Sequence, residues 1–244
     1  MIAYNKTYLQ NERIQKQAAR AHAQDFISKD EHDAARDKYP VPFYTPNFFI
    51  RIGLFLLTLV IASFSFGLFA LVFMSAIESI IEGMTILFAL LIYAALEYLV
   101  QEKKHYQSGV DDALLWLSAA MLFGGISFLT SAGEVANCLL AFVISLYAAL
   151  RFTDRVMATV AFLALLGVIF FTADQLGGMV KAILPFILMA ASAAIYFGII
   201  YLKKQSGLKH YSSCFSVIRI ASLLSFYAAG NFYVVKELST QLYH

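Results

Sequence analysis

The sequence from residue 52 to residue 74 decides the fold, and it reads IGLFLLTLVIASFSFGLFALVFM. It contains no charged residue, and it is longer than the roughly 20 residues that a helix needs to cross about 30 Å of hydrocarbon. Its apolar residues are continuous rather than alternating, which excludes a barrel strand. Because only helices and closed barrels satisfy every backbone group in lipid, the stretch predicts a transmembrane helix.

Six further apolar stretches follow in the same chain. They cover residues 83–100, 113–131, 135–150, 156–172, 182–202 and 215–235. The 244 residues are 60% apolar and 14% charged. Soluble domains usually have about 45–50% apolar residues and about 25% charged residues. We therefore expect an all-α, polytopic transmembrane helix bundle of about seven spans (48–244), preceded by a short helical cytoplasmic segment (1–47). We expect this bundle to lie in a lipid bilayer, which is its main binding partner.

Lysine and arginine are distributed unevenly between the loops. The loops after the second, fourth and sixth stretches carry seven of them: Lys103, Lys104, Arg151, Arg155, Lys203, Lys204 and Lys209. The loops after the first, third and fifth stretches carry Lys181, and Lys236 follows the seventh stretch. Because these residues are enriched in short cytoplasmic loops, we expect the amino terminus in the cytoplasm and the carboxyl terminus outside.

The amino-terminal 47 residues are polar and contain two predicted helices. Residues 5–24 are compatible with a helix that is polar on most faces. Ser28 and Glu31 have the spacing of a capping box, in which Ser28 caps the Glu31 amide and Glu31 reaches back. This pattern predicts a second, short helix that ends at about Lys38.

Three prolines, Pro40, Pro42 and Pro46, separate this segment from the first span. Each proline disfavours helix at the residue before it, so the sequence predicts a stiff, extended connector. The segment is too small for a substantial core of its own. We expect it to pack on the cytoplasmic loops or on a protein partner. Both a solvated helical extension and a regulatory or docking role fit the sequence.

The stretch that contains Ile27, Ser28 and Glu31, placed ahead of closely spaced spans, is similar to uncharacterised bacterial multi-pass membrane proteins known as domains of unknown function. The likeness covers the general plan of the chain. It implies a bacterial inner-membrane protein and transfers no catalytic residues.

Three polar residues inside the predicted spans form a candidate intramembrane polar site. An ionisable group at mid-bilayer costs roughly 2.5–3.5 kcal/mol on insertion scales. Arg219 lies one to two turns inside the seventh span, where its stem can snorkel to the headgroups or its charge can serve a substrate or ion. Glu97 can pair with Arg219 if their spans touch, and Asn231 can bridge helices by hydrogen bonds.

Other polar and helix-breaking residues allow two interpretations each. Pro185 removes a backbone hydrogen bond early in the sixth span, which makes it a candidate hinge or a static bend. Asp111 and Asp112 precede the third span, where negative charge caps a helix favourably, or where it can admit a cation or proton.

Short matches recur at a spacing of about 104 residues. Lys104-His105-Tyr106 returns as Lys209-His210-Tyr211, an offset of 105, and Arg51 corresponds to Arg155, an offset of 104. Spans one to three then repeat as spans five to seven. Helix ends rich in Lys, Arg and Tyr explain the same matches without a repeat.

Motifs of enzymes and of metal or nucleotide binding are missing from the sequence. It contains no H-E-x-x-H, P-loop, G-x-G-x-x-G or G-x-S-x-G pattern. The net charge of +2 gives no reason to expect nucleic acid. We expect no catalytic residues, metal or cofactor, and a structural, sensory or assembly role. The alternative is a small-solute transporter or channel with its polar site around spans two, six and seven. The oligomeric state stays open.

Overall fold

The computed structural model describes residues 2–72 and 77–242, and nine α-helices lie within these ranges. Their bounds are α1 Lys6–Ala23, α2 Lys29–Lys38, α3 Phe48–Val72, α4 Ile77–Gln101, α5 Val110–Thr130, α6 Glu134–Phe152, α7 Arg155–Leu176, α8 Gly178–Lys203 and α9 Ser212–Leu242. A 3-10 helix, Ser206–Tyr211, links α8 to α9. The all-α prediction is confirmed.

Helices α3 to α9 are each long and apolar enough to cross a membrane, which gives seven spans in the described ranges. The apolar stretch that starts at residue 52 belongs to α3, although residues 73 and 74 lie outside the described part. Helix α9 has 31 residues and extends past the predicted end at residue 235. Boundaries differ because apolar length marks the hydrocarbon core, whereas a helix continues into the headgroup region. The chain is a multi-pass membrane protein.

The two amino-terminal helices form where the capping pattern predicts them. The Glu31 amide donates to Ser28 Oγ at 3.3 Å, and the Ser28 amide donates to Glu31 Oε2 at 2.8 Å, so the capping box is complete. The Ser28 backbone and side-chain hydrogen bonds hold the pKa of the Glu31 carboxyl below its ordinary value. Helix α2 begins at Lys29 for this local reason.

The chain divides into two compact units at residues 122 and 123, so helix α5 contributes to both. The first unit contains α1 to α4 and the first part of α5. Helix α3 packs on α4 through the rings of Phe66 and Phe88, 5.1 Å apart, and on α5 through Phe55 and Trp116, 5.3 Å apart. Leu96 on α4 is fully buried. The amino-terminal helices are part of this unit.

The second unit contains the end of α5 and helices α6 to α9. Helix α6 packs along α7, helix α8 packs along α9, and α7 also contacts both α8 and α9. Gly167 lets α7 approach α6, because a Cβ at this position would lie 2.9 Å from Cys138 Sγ. Ser127 Oγ also donates to Asn137 Oδ1 at 2.7 Å. Close packing of this kind depends on small residues at helix contacts.

Candidate functional site

An aromatic cluster attaches the amino-terminal segment to the loop between α4 and α5 (residues 102–109, the α4–α5 loop). The ring of Tyr106, in this loop, lies 4.9 Å from Tyr4 and 5.0 Å from Phe43, and Tyr8 packs on Phe43 at 5.8 Å. Tyr4 and Tyr106 are buried. Each aromatic pair adds about 0.5–1.5 kcal/mol beyond its buried area, so this cluster orders the segment.

Backbone contacts join the connector (residues 39–47) to the same loop. The Tyr44 amide donates to Lys104 O at 3.2 Å, and Tyr44 and His105 form a short parallel β-bridge. The Lys104 ammonium lies 5.8 Å from the centre of the Tyr8 ring, within the range of a cation–π interaction. The connector is therefore attached to the loop at Tyr44.

Helix α1 also holds the start of the connector by two side-chain hydrogen bonds. Asn11 Nδ2 donates to Pro40 O at 3.0 Å, and Gln15 Nε2 donates to Tyr39 O at 2.6 Å. These amide side chains satisfy carbonyl groups of a proline-rich stretch that makes few hydrogen bonds itself. The sequence left open whether the segment packs on loops or on a partner, and in the first unit it packs on a loop.

The start of α3 and the start of α5 are joined by an ion pair. Arg51 donates from Nε and Nη2 to Asp112 Oδ2, at 3.0 and 2.6 Å. The Asp112 side chain is 13% exposed and that of Arg51 is 38% exposed. Since partial exposure screens such a pair, it contributes more to the alignment of the two helices than to the free energy of folding.

Asp111 holds the end of the α4–α5 loop from within. Its carboxylate accepts hydrogen bonds from the Gln107 amide at 2.7 Å, the Ser108 amide at 2.8 Å and Ser108 Oγ at 3.0 Å. His105 Nδ1 contacts Ser108 Oγ at 2.9 Å. Asp111 is 4% exposed. Both aspartates lie in the first turn of α5, where negative charge is favourable, but Asp111 binds the preceding loop and Asp112 binds Arg51.

A cleft of about 810 Å³ opens between α1, α2 and the connector. Charged side chains of both signs line it, with Glu12 and Lys16 from α1 and Arg36 and Asp37 from α2. Glu12 and Lys16 form an i,i+4 ion pair. Apolar side chains line it as well, and Arg51 of α3 and Gln107 of the α4–α5 loop complete its wall within the first unit.

The polar residues predicted within the spans belong to different units. Glu97 lies on α4 in the first unit, where it accepts hydrogen bonds from Tyr93 Oη at 2.6 Å and Gln101 Nε2 at 2.8 Å. Arg219 and Asn231 lie on α9 in the second unit, the first half-buried and the second exposed. A joint polar site of these residues stays a prediction, as does the pairing of Glu97 with Arg219.

Pro185, the candidate hinge, lies inside α8, and the helix continues through it. Its buried ring borders an apolar cavity between α7, α8 and α9. Whether the proline acts as a hinge or a static bend stays open.

Tyr211 fixes the 3-10 helix of the second unit. Its Oη donates to Leu150 O, at the end of α6, at 2.9 Å. Burial, followed by the nearby Cys214, raises the pKa of the Tyr211 phenol, which keeps the phenol in the protonated form that donates this bond.

Sequence reasoning missed the aromatic cluster, and it missed Gly109, where a Cβ would overlap the carbonyl oxygen of Arg51. Tyr4, Tyr8 and Phe43 lie in a mostly polar segment, and the burial of such large rings is a strong source of packing energy. That composition was the available signal. The partner of these rings, Tyr106, lies about 100 residues away and leaves no local pattern.

Comparison with known proteins gives no relative for this chain: no family model, curated protein or solved structure matches it. Across residues 2–72 and 77–242, no group of three or more His, Cys, Asp or Glu side chains could hold a metal ion. These findings identify no family, and what they support is that seven helices in the described part of the chain are long and apolar enough to cross a membrane.

Proposed function

We propose that this chain is a non-enzymatic membrane protein with a role in assembly or sensing, and that α1 and α2 form its docking platform for a cytoplasmic protein partner. The observation that carries the proposal is the attachment of the amino-terminal segment to the α4–α5 loop. A segment held by Tyr4, Phe43 and Tyr106 is already ordered. An ordered surface loses less conformational entropy when a partner binds.

The charged cleft is the part of this platform that a partner would contact. Glu12, Lys16, Arg36 and Asp37 present both signs of charge within one concave surface. Complementary charges give specificity and speed of association more than affinity. A protein with matching acidic and basic side chains fits this surface.

The first prediction concerns the charges of the cleft. We would place a photoreactive residue at Ala19, which is exposed and lines the cleft, in the full-length protein in its native cells. We expect one protein adduct of defined mass. Exchanging the cleft charges by Glu12→Lys with Lys16→Glu keeps an i,i+4 pair on α1. We expect it to lower the adduct about tenfold, equivalent to about 1.4 kcal/mol.

The control exchanges charges outside the cleft, by Glu102→Lys with Lys103→Glu. Both residues are exposed and lie in or next to the α4–α5 loop. This variant should keep the adduct. Absence of any adduct, or equal loss in the control, contradicts the docking proposal.

For the location, we propose the inner membrane of a bacterium, with α1 and α2 in the cytoplasm. The support is the distribution of Lys and Arg between loops, which favours this orientation. As the second prediction, we expect an alkaline phosphatase reporter to be inactive when fused after Lys103 or Lys203 and active when fused after Ser131. A phosphatase that is active after Lys103 or Lys203 reverses the orientation.

A further inference from the structure

A partly enclosed cavity of about 450 Å³ lies between α7, α8 and α9 in the second unit. On α7 it is lined by Leu166, Phe170 and Asp174, which are four residues apart and therefore share one face of the helix. From Asp174 to Leu166 the cavity follows α7 for about 12 Å at 1.5 Å per residue. It thus extends well into the hydrocarbon depth.

A proline on α8 and small side chains on α9 leave this space between the helices unfilled. Pro185 on α8 has no backbone N–H and disturbs the helix ladder at that point. On α9 the facing residues Ser225, Ala228 and Ala229 are small, and the larger Phe232 borders the cavity about one turn further along. Protein interiors are normally packed as densely as organic crystals. A space of this size is large enough to admit part of another molecule.

One carboxylate stands at the end of this otherwise apolar surface. Asp174 lies in the last turn of α7, is exposed, and lines the cavity. The carbonyl end of a helix disfavours negative charge, so helix stability does not account for this residue. A carboxylate has about four lone-pair sites and can therefore serve a ligand alongside its contacts within the protein.

Hydrocarbon alone does not explain selective binding here. Inside a membrane the lipid tails are as apolar as the cavity wall, so no hydrophobic force draws an alkyl chain from lipid into the protein. Selectivity has to come from the polar groups, and among the described residues that line this cavity Asp174 is the charged one. The ligand that suits it has an apolar body and a positive head.

We propose that this cavity binds an amphipathic amine, with the hydrocarbon part between α7, α8 and α9 and the ammonium group beside Asp174. The site is independent of the docking platform on α1 and α2. Two sources supply this chemistry: a membrane lipid with an amino headgroup, and a free long-chain amine.

As the third prediction, we expect saturable labelling of α7, α8 or α9 by a dodecylammonium probe that carries a diazirine in its chain. The full-length protein is used in a nonionic detergent, and labelled peptides are mapped by mass spectrometry. Asp174→Asn should raise the half-saturating concentration about fivefold, as loss of one exposed ion pair allows. Ala229→Leu, which fills the cavity, should remove the labelling.

Two matched variants act as controls. Glu134→Gln removes an exposed carboxylate at the start of α6, and Ala190→Leu adds the same side chain at an exposed position of α8. Both should label like the unchanged protein. A dodecyl sulfate probe with the same diazirine should bind more weakly, and Asp174→Asn should reduce that difference.

The proposal is overturned if Ala229→Leu leaves the labelling unchanged, or if the sulfate and ammonium probes saturate alike in the unchanged protein. It is also overturned if Asp174→Asn has no effect on a variant that elutes as a monodisperse protein. To distinguish the two sources of the amine, the labelling is repeated in vesicles of phosphatidylglycerol with or without phosphatidylethanolamine. If phosphatidylethanolamine reduces labelling by the dodecylammonium probe, the ligand is an aminolipid. If labelling is the same with and without this lipid, the ligand is a free amine.

Discussion

Asp111→Ala is expected to destabilise the first unit by about 2–4 kcal/mol, because the buried Ser108 amide loses its acceptor at about 1–3 kcal/mol and the half-buried Gln107 amide loses one at the lower end of this range. The amides of Gln107 and Ser108 donate to the carboxylate at 2.7 and 2.8 Å. Gln107 also has a φ of 50°, in the left-handed region. Its hydrogen bond to Asp111 therefore stabilises a backbone conformation that costs energy by itself.

The neighbouring carboxylate is the control for this prediction. Asp112→Ala removes the partner of Arg51, whose side chain is 38% exposed and can turn to water. We expect a loss of at most about 1 kcal/mol. The measurement is denaturant unfolding in detergent, followed by the fluorescence of Trp116, the one tryptophan of the sequence, which contacts Phe55 across α3 and α5.

The prediction is tested by comparing the losses of unfolding free energy of Asp111→Ala and Asp112→Ala. If Asp112→Ala costs as much as Asp111→Ala, charge pairing rather than the buried hydrogen bonds holds this loop. Ser108→Ala, which removes one donor and spares both amides, should fall between them.

The features predicted correctly are those that depend on residues close together in the chain. A span needs only an uninterrupted apolar run, as in residues 52–72, where α3 forms. The capping box of Ser28 and Glu31 needs two residues three positions apart. In both cases all the residues that the structure depends on lie within one short stretch of sequence.

The junction between the amino-terminal segment and the loop was not predictable in the same way. Tyr4 and Tyr106 meet across about 100 residues, and the sequence gives no local trace of that contact. Such packing depends on how several helices are placed together. The sequence therefore predicted that the amino-terminal segment packs on loops or on a partner, but it did not distinguish between these two.

The recurring Lys-His-Tyr triplets show an intermediate case. Tyr106 contacts Phe43, ahead of α3, and Tyr211 contacts Leu150, ahead of α7. Each tyrosine thus binds the residues that precede the first helix of its predicted repeat. The repeat stays a prediction: one tyrosine stacks on a ring and the other donates to a backbone carbonyl, each within its own unit.

The second large effect is expected at Gly109, where α5 begins and the backbone has a φ of 92°. The Ala113 amide donates to Gly109 O at 3.0 Å, which starts the helix ladder. A Cβ at Gly109 would overlap the carbonyl oxygen of Arg51 in α3. The left-handed strain and the steric overlap each cost about 1–3 kcal/mol, so Gly109→Ala should destabilise the unit by about 2–6 kcal/mol.

Gly53→Ala is the matched control for Gly109→Ala, because a Cβ at Gly53 meets nothing within 4 Å and the residue lies within α3. Alanine there should be neutral or stabilise by up to about 1 kcal/mol. Both variants are followed by the same Trp116 fluorescence.

A double variant separates the backbone contact at Gly109 from the ion pair beside it. Arg51→Ala removes the side chain that binds Asp112 but leaves the carbonyl group that Gly109 approaches. Most of the cost of Gly109→Ala should therefore remain in the Arg51→Ala background. If that cost disappears, the close approach of α3 and α5 depends on the Arg51 side chain, and the glycine is not required by the backbone.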